Sequence, residues 1–152
     1  MTKIIHPIAG TVALMLVMSF WLATAWSELF AGKHAITTVK TVLPYGFLLL
    51  IPALMAAGGT GFQLGKRMRG AVITAKKKRM PIITANGIMI LVPCALYLSF
   101  KANSGAFDTW FYAVQAIELI FGAINITLLG LNMRDGLQLS RRRISTSRRD
   151  RS

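Results

Sequence analysis

Acidic residues, histidines and cysteines are scarce in this 152-residue sequence: five Asp+Glu, two His and one Cys. The single Cys94 excludes a disulfide framework. With no CxxC, no metal-spaced His/Cys cluster and no nucleophile–base arrangement, neither a metal site nor a catalytic set is expected. Charged residues of both signs make up only 15% of the chain, against roughly 25% in a soluble domain. Disorder is excluded as well, because disordered chains are poor in apolar residues and this one is 54% hydrophobic.

What is present is apolar length and positive charge. Mean hydropathy is +0.54 and the isoelectric point is about 11.0. Eighteen Lys+Arg give a formal net charge of +13. A membrane helix needs about 20 mostly apolar residues, and four stretches qualify, at about 8–30, 42–62, 82–100 and 109–131. The runs are too long for surface helices and do not alternate as barrel strands do. The fold class expected is therefore all-α, an integral membrane four-helix bundle over residues 1–137. Residues 138–152 form a basic, disordered tail. Pro7, Pro44 and Pro81 fall near span starts, where proline suits a first helical turn. Pro52 and Pro93 fall inside spans, where each removes a backbone hydrogen bond and favours a kink. Trp26, Tyr97, Trp110 and Tyr112 lie near span ends as interfacial anchors. Trp21 lies deeper, and its expected role is packing against another helix.

With four spans, both termini and the 65–80 loop share one side of the membrane. That side collects fifteen basic residues, and the other holds three, Lys33, Lys40 and Lys101. Basic loops stay cytoplasmic, so an N-in/C-in protein of a bacterial inner membrane is expected. A competing reading of the amino terminus is a signal peptide cut after Ala23-Thr24-Ala25. The apolar run continues to Leu29-Phe30, so the first span is expected to be retained.

Glu118 is the residue most out of place, a carboxylate expected near the centre of the fourth span. Helical spacing puts Gln115, Gly122, Asn125 and Asn132 on its face. The seam suits packing glue between helices, a quinone or cofactor contact, or a proton or cation path. Asn86, Thr24 and Ser19 are its candidate partners. No lysine or arginine falls inside a span so bounded. A salt bridge within the membrane is therefore not expected, which counts against a coupled-ion transporter.

His6 and His34 are the available haem ligands. They stand 28 residues apart, roughly 42 Å along a continuous helix, so they cannot share one haem within a chain. A bis-histidine cytochrome would carry histidines inside its spans. Gly61 and Gly65 have the G-x-x-x-G spacing that lets helices approach closely, and Gly122 adds a small residue to the fourth helix. Gly65-Lys66 is followed by Arg67, so no phosphate loop is present. Lys76, Lys77, Lys78, Arg79, Arg141, Arg142 and Arg143 are expected to meet anionic lipid headgroups, each contributing about 1 kcal/mol, or an acidic protein partner. Nucleic acid is not expected, since no aromatic platform accompanies the tail.

The stretches His6-Pro7-Ile8-Ala9-Gly10, Lys78-Arg79-Met80-Pro81-Ile82-Ile83-Thr84-Ala85-Asn86-Gly87 and Leu129-Gly130-Leu131-Asn132-Met133-Arg134-Asp135-Gly136-Leu137 resemble a group of small uncharacterised bacterial four-span inner-membrane proteins. The resemblance covers residues 6–137 and implies membrane class without an activity. The sequence alone favours a non-catalytic subunit or accessory protein of a membrane complex, with a protein partner or a second copy. A haem- or quinone-binding redox protein and a small transporter or proton conductor using Glu118 are the alternatives.

Overall fold

The computed structural model describes the backbone of residues 2–66 and 71–149. Among them every regular element is helical: α1 (Thr2–Phe30), α2 (Lys33–Lys66), α3 (Ala71–Asn86), a π-helical segment (Gly87–Leu91), α4 (Val92–Asn103) and α5 (Thr109–Arg149). Four stretches are long and apolar enough to cross a membrane, His6–Phe30, Lys33–Gly61, Lys78–Asn103 and Thr109–Gln138. The third is the continuous run of α3, the π segment and α4. Large apolar side chains such as Met15, Leu48, Met55, Met89 and Ile120 point outward, as a bundle solvated by lipid tails requires. This is the chemistry of a multi-pass membrane protein.

The second span begins earlier than its sequence reading. The expected start near Val42 takes Pro44 as lying at the span's beginning and leaves Lys40 outside it, yet α2 is helical from Lys33 and carries both Pro44 and Pro52 in its interior. Membrane helices tolerate internal proline because neighbours re-satisfy the freed groups. The consequence is large, since Lys40 moves from a loop into the bundle. Pro81 is likewise interior to α3. At Pro93 the missing N–H and the ring's clash with the carbonyl four residues back widen the helix instead of breaking it. The N–H of Val92 reaches the carbonyl of Gly87, five residues back. The backbone of α5 continues to Arg149, through the basic tail. The side chains of Gly65's neighbourhood, Lys76, Lys77, Arg141, Arg142 and Arg143 lie outside the described residues.

Around the bundle, α1 neighbours α2 and α5, while α4 neighbours the same two. Helices α2 and α5 thus stand on opposite corners, without close backbone approach among the described residues. Two apolar clusters fill the interior. One comprises Ile36, Leu98, Ala102 and Phe111, near the end where residues 31–32 join α1 to α2. The other comprises Ala13, Val17, Leu50, Ile83 and Leu129. Asp108 accepts the N–H of Phe111 at 2.9 Å, capping α5, and pairs with Lys101. That pairing, with the cap, holds the Asp108 carboxyl below its usual range. The contact therefore persists at neutral pH and is lost only as pH falls through that lowered value.

Glycines set the closest approaches. A Cβ on Gly46 would meet the Phe20 ring at 2.2 Å, whereas one on Gly59 would meet nothing within 4 Å. Gly46→Ala should lower the stability of the detergent-solubilised protein by about 1–3 kcal/mol through overpacking. Gly59→Ala should leave it within about 0.5 kcal/mol. Thermal melting of the two variants side by side checks the contrast.

Candidate functional site

Lys40 is fully buried, at 0% exposure, and its ammonium pairs with the Glu118 carboxylate. The pair is the principal correction to the sequence reading, which placed no base inside a span. The long side chains of Lys40 and Glu118 meet across opposite corners of the bundle while their backbones stay apart. Lys40 lies seven residues into α2, and Glu118 nine residues into α5. At about 1.5 Å per residue both sit roughly 10–14 Å below the end that carries the 31–32 turn. Glu118 is therefore in one half of the span rather than at its centre. The Ile36–Phe111 cluster lies between the pair and that end of the bundle.

The pair has further polar company. Glu28, one turn from the end of α1, lies in the electrostatic field of both Lys40 and Glu118. Its Oε1 is buried without a hydrogen-bond partner. Glu28 escaped the sequence analysis because it lies close to a predicted span end, where a carboxylate is unremarkable. Its signal was the scarcity of acids combined with an interior Lys40. Cys94 of α4 lies in the same field. Of the partners expected for Glu118, Thr24 is buried nearby on α1, where its carbonyl accepts the Ser27 hydroxyl at 2.9 Å. Asn86 instead donates to the Phe121 carbonyl at 2.9 Å, and Ser19 is exposed.

A polar seam follows α5 on both sides of the pair. Gln115, Asn125, Asn132 and Asp135 are all buried. They recur with Glu118 and Gly122 at helical spacing, broken by one apolar turn at Leu129. Both amide atoms of Gln115 and the Oδ1 atoms of Asn86, Asn125 and Asn132 lack hydrogen-bond partners. Buried polar atoms of this kind are ordinarily satisfied by water. At the other end of the seam Asp135 accepts from Arg79 at 2.7 Å, and Asn132 donates to Met80 Sδ at 3.3 Å. Arg79, expected at lipid headgroups, thus ties α3 to α5. Lys78 is exposed.

The remaining candidates are placed by packing. Trp21 donates to the Leu119 carbonyl at 2.8 Å, and Gly122 makes room for its indole, which a Cβ there would meet at 2.8 Å. Gly61 faces the His6 ring, which would meet a Cβ at 2.9 Å. His6 Nδ1 lies 3.0 Å from the Ala57 carbonyl. A carbonyl only accepts, so this nitrogen carries the proton. His34 is the second residue of α2 and exposed, at the opposite end of the bundle, so the structure does not bring the two histidines together. Among the described residues no group of three or more His, Cys, Asp or Glu is placed to hold a metal ion.

Beside Glu118, between α1, α2, the π segment and α5, lies a cleft of about 70 Å³. Its walls are apolar apart from Thr24, Glu118 and Asn125, and include the rings of Phe20, Trp21 and Phe47.

Removing one partner of a buried pair strands the other charge. Lys40→Met should destabilise the protein by about 3–5 kcal/mol, with Lys40→Met/Glu118→Leu recovering much of the loss. Denaturant titration of helical circular dichroism in mixed micelles measures both. No family model, no curated protein and no solved structure matches this chain.

Proposed function

We propose that the chain is a small proton-conducting protein of the bacterial inner membrane in which Glu118 carries the proton. The observation that supports this is the Lys40–Glu118 pair, buried across the bundle's diagonal at the head of a seam of unpartnered polar atoms. Ionisable groups at membrane depth are costly and mark ion or proton paths. A subunit with only a scaffolding role has no need of three ionisable side chains converging in its interior. The accessory-subunit reading drew on the lack of a soluble domain and of a catalytic set; the premise that fails at Lys40 is the one that counted against a coupled-ion transporter.

A proton arriving on Glu118 neutralises the carboxylate and releases the Lys40 ammonium towards Glu28. Its onward transfer runs along Asn125 and Asn132 to the Arg79–Asp135 pair. The intervals, up to two helical turns or about 10 Å, each call for a short chain of bridging waters. The fifteen-to-three division of basic residues supports both termini and the 65–80 segment being cytoplasmic. The resemblance to small bacterial four-span proteins supports the inner membrane and adds no activity. Gly61 and Gly122 are occupied by His6 and Trp21 of the same chain, so neither is free to form an oligomer contact.

Proteoliposomes carrying a trapped pH dye, driven by a potassium diffusion potential, test the proposal. Wild type should acidify the lumen faster than protein-free liposomes, and Glu118→Gln should return the rate to the protein-free value. Wild-type flux equal to that of empty liposomes, or undiminished flux in Glu118→Gln, overturns it.

A further inference from the structure

We infer that the cleft between α1, α2, the π segment and α5 holds the acyl tail of a membrane lipid, which enters through a gap between α2 and the π segment. This goes beyond proton conduction and rests only on the bundle's spanning a membrane.

The walls set the chemistry. Apart from Thr24, Glu118 and Asn125 they are apolar. The Glu118 carboxylate is engaged by Lys40, and the Oδ1 of Asn125 is buried. An occupant therefore meets hydrocarbon and aromatic rings rather than partners for polar groups of its own. Apolar cavities of this kind stay dry and take up apolar ligands. The α2 wall runs from Leu43 to Leu54, about 16 Å along the helix axis and roughly half of the hydrocarbon thickness. A slot of that length, parallel to helices that cross the bilayer, matches an extended tail lying in its ordinary direction.

The gap supplies the entrance. Among the described residues α2 packs against α3 and α4 but makes no close backbone approach to the π segment between them. The two exposed lining residues, Ile51 at 37% and Ile88 at 57%, stand on α2 and on the π segment. The remaining lining residues are buried or half-buried. Behind the gap Gly87 carries no side chain. A Cβ built there would meet only Asn125 Nδ2, at 3.9 Å, so the space in front of it belongs to the cleft. Left empty, the slot would forfeit the dispersion contacts of its lining. The groups that surround its mouth in a membrane are acyl tails, as apolar as leucine.

Trp21 lies on the wall and supplies the signal. With Trp26 and Trp110, both exposed, replaced by Phe, Trp21 is the only tryptophan left. This protein is reconstituted in vesicles of phosphatidylcholine brominated at mid-chain, and separately in vesicles of the unbrominated lipid. Bromine quenches an indole that it touches, so Trp21 should lose about half of its emission in the brominated vesicles. Gly87→Leu fills the cleft from inside and leaves the outer face of Trp21 unchanged. It should restore most of the lost emission. Leu91→Phe fills the same space from the rim and takes its place if circular dichroism shows Gly87→Leu unfolded. Equal emission in the two lipids, the result of a closed cleft or of one covered by a second copy, overturns the inference. Quenching undiminished in the filled protein means a tail touching only the outside of the bundle, and overturns it as well. A bound tail without proton flux removes the proposed function and leaves this site standing, and flux without a bound tail does the reverse.

Discussion

A charge pair in a low-dielectric interior organises this bundle. Lys40 has no exposure, and an ammonium in that position is tolerable only beside a carboxylate. Helices α2 and α5 do not touch through their backbones, so the pair spans them through side chains. Neighbouring features follow from it. The Ile36–Phe111 cluster lies between the pair and one end of the bundle, and the Ala13–Leu129 cluster lies on its other side. Glu28 adds a second acid on a third helix. A surplus of carboxylate over ammonium therefore sits within one polar layer, with the unpartnered amide of Gln115 beside it.

The polar groups are distributed in layers, not scattered. The Arg79–Asp135 pair ties α3 to α5 near one end, the Lys101–Asp108 pair ties α4 to the start of α5 near the other, and Lys40–Glu118 lies between them. Asp108, Glu118 and Asp135 thus each join α5 to a different helix. Three of the five acids also brace α5, one per layer.

Four spans could be read from the sequence because long apolar runs admit few other structures. The seam on α5 was equally legible, since helical spacing alone puts Gln115, Glu118, Gly122, Asn125 and Asn132 on one face. Trp21 was recognised as too deep for an interfacial anchor, and it packs against α5. The start of α2 was not legible. Lysine and proline are both ordinary flanking residues, and only tertiary structure distinguishes a flank from an interior Lys40 whose countercharge lies 78 residues away. The same limit hid Glu28, whose significance depends on Lys40. Arg79 looked like a headgroup contact because its neighbours Lys76, Lys77 and Lys78 are basic, and local charge says nothing of Asp135 across the bundle. Proline gave a local disturbance but not its form: Pro93 widens its helix and Pro52 leaves α2 continuous.

The short connection between Phe30 and Lys33 has a consequence in time. Helices α1 and α2 are made as one hairpin, and Lys40 must enter the membrane with it. Before Asp108 is synthesised, Glu28 is the only acid in the chain. Within residues 1–107 it is the one countercharge on the hairpin that carries Lys40, and Glu118 arrives only with the last helix. In the finished bundle Glu28 stays beside that turn, within the field of both charges of the pair.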